Sequence, residues 1–154
     1  MSEPGISAIY ISATATGPIL SVDSAKAFTG RGLEGDRYVD NAGTFSEKPG
    51  TGRQLTLIEA EAIAAYVAET GESLTAEEAR RNLVTRGVRL NDLVGREFRV
   101  GDVRILGCRL CEPCNHLVKL TGKPKTLEGL AGRGGLRAEI LSDGVIRVGD
   151  PVVV

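Results

Sequence analysis

Residues 97–106 read Glu-Phe-Arg-Val-Gly-Asp-Val-Arg-Ile-Leu. Two short runs rich in β-branched and aromatic residues flank Gly101-Asp102. That is a hairpin pattern, and Gly at the first turn position suits a type II′ turn. The C-terminal stretch repeats the idea, with Val145-Ile-Arg-Val148, then Gly149-Asp150, then Pro151-Val-Val-Val154. It predicts a second hairpin. Pro151 has no N–H, so the last strand belongs at an edge or a bulge.

Working outward, Leu136 to Leu141 reads as a strand that turns through Ser142-Asp-Gly144. Towards the N-terminus, Ile6 to Thr14 predicts a strand, Gly17-Pro18 breaks it, and Ile19 to Val22 begins another. Thr29 to Arg37 is punctuated by glycine, and Val39 to Gly52 reads as a long functional or mobile loop. Gln54 to Ile58 is a short strand. Glu59 to Thr70 has helix composition, with Glu59 and Glu61 in its first turn, where the macrodipole favours acids. Ile63, Tyr66 and Val67 form its apolar face, and Gly71 ends it. A second short helix is expected over Ala76 to Arg80, with Thr75 and Glu78 as a capping box. Asn115 to Leu120 and Thr126 to Ala131 read as short helical turns.

Strands and helices do not alternate in βαβ order, which disfavours a Rossmann-type sheet. The expected fold is mainly β with short helices, a β-rich α+β class. Its sheet is mostly antiparallel and closes into a partial β-barrel. The 154 residues suit one domain, 1–154, with no linker or low-complexity tract.

Composition narrows function. Twenty glycines are about twice the average share of roughly 7% and fit many turns between short strands. The formal net charge is −1, with three Tyr, three Phe and no Trp. That argues against general nucleic-acid or anionic-membrane binding and leaves room for a local basic site. No apolar run reaches the ~18 residues of a membrane helix. Met1 to Ser21 contains no Lys or Arg and carries Glu3 and Pro4, unlike a signal peptide. The expected compartment is the cytoplasm.

Chemistry concentrates in Cys108-Arg-Leu-Cys111-Glu-Pro-Cys114-Asn-His116, which holds all three cysteines and the one histidine. Three thiolates and an imidazole are a valid zinc set, although zinc usually joins two distant ligand pairs. The bacterial iron–sulfur run has a fourth cysteine that is missing here. Cys111 and Cys114 have the spacing of a thiol–disulfide pair, without a thioredoxin-like context. A single reactive thiolate is the fourth reading. Cys114 suits it best, following Pro113 at the predicted start of a helical turn. Against all four stands burial as small hydrophobes, the favoured reading for Cys108 and an even one for Cys111. His116 either orients or protonates a group near Cys114, or is a hydrogen-bonded structural residue.

Arg37, Arg53 and Arg133 sit among glycines and polar turn residues, and Arg80, Arg81 and Arg86 surround Asn82-Leu-Val-Thr85. None forms a P-loop. Glycine lets backbone N–H groups approach an anion, and arginine makes forked contacts to phosphate. With a thiolate nearby, these residues point to an anionic, phosphate-bearing ligand.

An ordered set of motifs then carries a resemblance. It runs Gly32-Leu-Glu-Gly-Asp-Arg37, Arg53-Gln-Leu-Thr-Leu-Ile58, Arg80-Arg-Asn-Leu-Val-Thr85, Leu90-Asn-Asp-Leu-Val-Gly95, Cys111-Glu-Pro-Cys114 and Gly134-Gly-Leu-Arg-Ala-Glu-Ile140, closing with Gly144 and Val148-Gly-Asp150. Over residues 6 to 154 the chain resembles the MOSC family, named for the C-terminal domain of molybdenum cofactor sulfurase. The resemblance implies a barrel-like β fold and a role in binding molybdenum cofactor or carrying sulfur. It implies Cys114 as molybdenum ligand or persulfide carrier. Cys111 would resolve the persulfide, and His116 would assist. Arg37, Arg53, Arg81, Asn82 and Arg133 would hold the cofactor's phosphate and pterin.

The pyridoxal phosphate domain of the sulfurases and the extra N-terminal barrel of amidoxime-reducing relatives have no counterpart in these residues. A standalone member is expected, and no lysine lies in a setting that argues for pyridoxal phosphate. The alternatives are a molybdenum-dependent reductase of N-hydroxylated compounds, which would need an electron-transfer partner, and a non-enzymatic module for cofactor storage or insertion. Expected partners are a cofactor or a sulfur donor or acceptor protein, and a homodimer through the edge at Val152 to Val154.

Overall fold

In the computed structural model of the chain, residues 4–12, 18–36, 54–111 and 134–154 are described. The strands are β1 (Gly5–Ile11), β2 (Leu20–Val22), β3 (Ser24–Phe28), β4 (Gly32–Leu33), β5 (Leu55–Glu59), β6 (Leu83–Arg86), β7 (Glu97–Val100), β8 (Val103–Leu110), β9 (Leu136–Ile140), β10 (Gly144–Arg147) and β11 (Val152–Val153). Among the described residues there is one α-helix, α1 (Ala60–Thr70), and one 3-10 turn, Leu90–Leu93. The expected helical turns at 115–120 and 126–131, and the loop at 39–52, lie outside the described residues.

Eight strands form one mixed sheet in the order β11-β7-β8-β9-β5-β6-β1-β2, and β10-β3-β4 form a smaller one. The β5–β6 pair is parallel, and the other described pairs are antiparallel. The large sheet curls into a half-barrel, open rather than closed. An isolated bridge between Gly5 and Pro151 ties its first strand to its last, with Ile6 N–H donating to Asp150 O at 3.0 Å. The mainly β, mostly antiparallel expectation holds.

Alternation builds the inner core. β7, β8 and β9 bury every second residue, including Phe98, Val100, Val103, Ile105, Leu136, Ala138 and Ile140. β5 is different, because Leu55 to Ile58 are all buried. Leu55 and Leu57 join the inner core, while Ile58 meets Val84, Ile63, Tyr66, Leu74 and Ala79 in a second core under α1. Each fully buried Leu or Ile contributes about 1.5–3 kcal/mol.

Several expectations need correction. β5-α1-β6 is one βαβ unit, missed because the four residues Leu83–Arg86 form a strand hidden within a run of polar neighbours. Val67 is 38% exposed, so the buried face of α1 is Ala62, Ile63 and Tyr66. Glu59 is the N-cap rather than a first-turn residue, and Glu61 occupies that turn. Gly71 does end the helix, in the left-handed region, with its N–H on Val67 O.

The predicted helix at 76–80 is a single turn. Its capping box forms nonetheless. Thr75 N–H donates to Glu78 Oε1 at 3.0 Å, and Glu78 N–H donates to Thr75 Oγ1 at 3.1 Å. Arg80 then takes a φ of 56°, which stops the helix and turns the chain into β6.

The first hairpin is as expected. Val100 faces Val103 across the turn, Phe98 faces Ile105, and Gly101 has a φ of 58°. The second is not a hairpin. β10 pairs with β3 in the small sheet, while β11 pairs with β7 at the edge of the large one. The Gly149-Asp150 turn therefore carries the chain from one sheet to the other. An identical Val-Gly-Asp triplet serves two topologies, because the flanking partners differ.

A register shift interrupts β8 against β9 between Gly107 and Arg109. A Cβ on Gly107 would sit 2.1 Å from Leu93 O. That backbone contact cannot be relieved by a side-chain rotation. Gly107→Ala is expected to cost about 3 kcal/mol, the upper part of the overpacking range, measured by urea unfolding.

Glu59 supplies a pH test. Burial raises its carboxyl above the ordinary value, and the hydrogen bond from Leu90 N–H at 3.2 Å opposes that only in part. A raised carboxyl pKa penalises the ionised folded state, so this penalty is absent at low pH and grows as pH rises through the folded pKa. Glu59→Gln keeps an acceptor for Leu90. Its urea midpoint should gain on wild type between pH 4 and pH 7; an unchanged difference would remove burial as the cause.

Candidate functional site

The site is built around Asn82, a buried residue just before β6. Its Oδ1 accepts from Thr56 N–H at 3.0 Å and from Thr56 Oγ1 at 3.1 Å. Its own N–H donates to Thr56 Oγ1 at 3.0 Å. Nδ2 donates to Tyr10 O at 3.2 Å, and Asn82 O accepts from Tyr10 N–H at 2.7 Å. One amide side chain thus ties β1, β5 and β6 together. An amide suits this place because it carries both an acceptor and donors.

Arg81 reaches over β5 to the neighbouring strands. Its Nε donates to Gly134 O at 3.0 Å, Nη2 to Cys111 O at 3.4 Å and Nη1 to Ala79 O at 3.3 Å. Three of its five N–H donors are engaged by carbonyls, which leaves two. Cys111 N–H donates to Gly135 O at 2.7 Å. Gly135 has a φ of 120°, and a Cβ there would meet Leu57 O at 2.1 Å and Arg81 Nε at 3.5 Å. A glycine is therefore required where Arg81 crosses.

Cys111 is buried with a free thiol. Cys108 lies in the register shift of β8, half-buried, with its thiol 3.5 Å from Leu106 O. Asp36 is buried and accepts from Ser12 N–H at 2.9 Å. Gln54 accepts from Ile140 N–H at 2.8 Å.

Of the residues expected from sequence, Arg81, Asn82 and Cys111 are brought together. Cys114, His116, Arg37, Arg53 and Arg133 lie outside the described residues. In sequence, Arg37 follows Asp36, Arg53 precedes Gln54, Arg133 precedes Gly134, and Cys114 is three residues past Cys111. Among the described residues no group of three or more His, Cys, Asp or Glu is arranged to hold a metal ion, and no helix is long and apolar enough to cross a membrane.

The sequence reading missed a polar row beside Asn82. Thr56 of β5 faces Arg137 of β9, and Arg137 faces Arg109 of β8. Leu136 and Ala138 point into the inner core, so Arg137 lies on the opposite face of the sheet. The alternation in Leu136 to Ile140 signals that outward position. Only the register shift at Gly107 brings Arg109 opposite it.

Comparison with known proteins places the chain in a family and among similar folds. Residues 43–153 match the sequence profile of the MOSC domain. The YuaD protein of Bacillus subtilis has a similar structure, with a TM-score of 0.80 at 17% identity, covering 98% of this chain and 94% of that one. YiiM from Escherichia coli gives 0.73 at 19%, covering 99% and 69%, and YiiM from Geobacillus stearothermophilus gives 0.72 at 17%, covering 97% and 74%. No curated protein matches the chain. The likeness to solved structures is one of fold.

Asn82→Ala should cost about 2–4 kcal/mol in urea unfolding, because it strands the Thr56 N–H and the Tyr10 carbonyl at roughly 1–3 kcal/mol per buried group. A loss under ~0.5 kcal/mol, the range of an ordinary surface change, would show that the three strands do not depend on this side chain.

Proposed function

Since the chain belongs to the MOSC domain family, we propose that its function is related to the molybdenum cofactor, and that it binds the cofactor or carries sulfur for it through Cys114. The observation that carries this reading is Arg81, whose guanidinium holds Cys111 and Gly134 together. Those two residues bracket the stretch that contains Cys114, His116 and Arg133. In sequence, Cys114 is the third residue after Cys111.

The donor set fits an anionic, acceptor-rich group. Arg81 keeps two donors, one hydrogen of Asn82 Nδ2 is left over, and Nη1 of Arg137 is buried beside them on the sheet. The Arg37, Arg53 and Arg133 side chains, with Arg81 and Asn82, would hold phosphate and pterin. When bound, the cofactor supplies a redox-active metal that the side chains lack. A thiolate such as Cys114 is a suitably soft ligand for it. His116 would orient or protonate a group at that thiolate.

In sulfur transfer, the Cys111 thiolate would attack Sγ of a Cys114 persulfide. A Cys111–Cys114 disulfide forms, the S–S bond of the persulfide breaks, and hydrosulfide leaves. Cys111 is buried, so this discharge requires a local opening. Cys111→Ser should slow it; persulfide turnover at the wild-type rate would exclude the resolving role.

The deciding experiment is anaerobic incubation of wild type and Cys114→Ser with molybdenum cofactor, followed by metal and mass analysis. Wild type is expected to retain molybdenum and the variant to lose it. Equal retention would remove Cys114 as the ligand. If neither retains metal, a mass gain of one sulfur atom at Cys114 after exposure to a sulfur donor is the result that keeps the carrier role, and its absence ends it.

A further inference from the structure

Two carboxylates at the start of α1 reach out to another segment. Glu59 is the N-cap of the helix, yet its side chain makes no cap bond there. Its Oε2 instead accepts from Leu90 N–H at 3.2 Å, and Oε2 of Glu61 accepts from Gly87 N–H at 2.9 Å. Gly87 has a φ of 73°, in the left-handed region that favours glycine. Leu90 begins the 3-10 turn, and Arg89 before it offers no side-chain cap. Without Glu59, the Leu90 N–H would be one of the orphan donors left at the start of a helical turn.

The segment that these carboxylates hold, 87–96, lies against the register shift of β8. Leu90 and Leu93 enter the inner core. The Leu93 carbonyl sits so close to Gly107 that a Cβ there would strike it. Gly95 N–H donates to Gly107 O at 2.8 Å, and Gly107 N–H donates to Arg96 O at 2.9 Å. Cys108, the next residue, is half-buried inside that shift. One continuous run is thus fastened at its first end to α1 and at its last end beside a thiol.

We propose that 87–96 is a strap closed over the Cys108 bend of β8, and that Glu59 and Glu61 are the latch that keeps it closed. Release of the latch lets the strap lift from Gly107 by a local opening, which admits reagents to the Cys108 thiol. The inference stands apart from the cofactor reading, because none of these residues takes part in it. The charges around Glu59 set how the latch responds to pH. Glu61 of α1 and Asp92 of the 3-10 turn oppose its ionisation, and Arg89 favours it. Arg86 of β6 is engaged by Ile6 O at 3.2 Å. Burial is the largest influence and raises the carboxyl above its ordinary value. The closed strap therefore holds this proton more tightly than an open one would, with Glu59 in water. Closure is strongest at low pH and weakens as pH rises through the folded pKa.

The test uses the full chain, alkylated by iodoacetamide at pH 7 and mapped by mass. Trypsin cuts after Arg109, so the peptide Ile105 to Arg109 reports Cys108 apart from Cys111. Glu61→Ala should speed alkylation of Cys108 at least about threefold, the size expected from the loss of one hydrogen bond. Asp143→Ala is the control, because it removes two hydrogen bonds from Thr29 at the turn before β10. It should leave Cys108 at the wild-type rate. A smaller rise in Glu61→Ala overturns the latch. So does an equal rise in Asp143→Ala or at the buried Cys111, which would mark loosening of the whole fold. Native-state hydrogen exchange gives the pH arm. The protection factor of Gly107 N–H should fall from pH 5 to pH 7 by more in wild type than in Glu59→Gln, which does not ionise. An equal fall in both removes Glu59 from the latch and overturns the proposal.

Discussion

Asn82 accepts two hydrogen bonds from Thr56 and returns one through its backbone, while its amide nitrogen holds Tyr10. This reciprocal pairing sets where β6 begins against β5 and β1. Arg81 precedes Asn82 in the chain, so the same constraint aims the guanidinium across β5. From there it holds the carbonyls of Cys111 and Gly134. If Asn82 moved by one residue, Arg81 would leave these carbonyls. A buried polar network of this kind favours one arrangement strongly, because each alternative leaves groups unsatisfied where water does not reach.

The two cores explain why the network can be buried at all. β5 and β6 are covered on both faces, by the inner core on one side and by α1 with its following turn on the other. Polar atoms on such strands must find partners within the protein. Thr56, Asn82 and Thr85 all do. Tyr66 shows the same rule at the edge of the second core. Burial and the hydrogen bond it donates to Glu72 at 2.6 Å push its hydroxyl up to about 12. The sheet beyond β5 is different. The outer face of β7, β8 and β9 carries arginines and glutamates, most of them in contact with solvent.

Much of the fold was legible in local pattern. The β7–β8 hairpin, the α1 helix and its glycine stop each follow from periodicity and turn chemistry within about ten residues. The candidate site was legible in part. Arg81, Asn82 and Cys111 stood out from the sequence and do assemble, whereas Thr56, Arg109 and Arg137 did not stand out. Each of these is ordinary for a strand. Their grouping arises from cross-strand register, which no single segment encodes.

The sequence alone determined the class of the fold, the hairpin at Gly101, the family to which the chain belongs and the residue types of its chemistry. These depend on short-range periods of two and 3.6 and on the order of motifs along the chain. Tertiary structure alone decided that the twin Val-Gly-Asp turns lead to different places, one closing a hairpin and the other passing from sheet to sheet. It also decided that the Thr75–Glu78 capping box heads one turn rather than a helix, and that Arg81 bridges three carbonyls. The physical reason is common to all three. A local motif sets the turn, but the direction taken afterwards depends on which distant strand offers hydrogen bonds and apolar surface, and that is settled only when the whole sheet assembles.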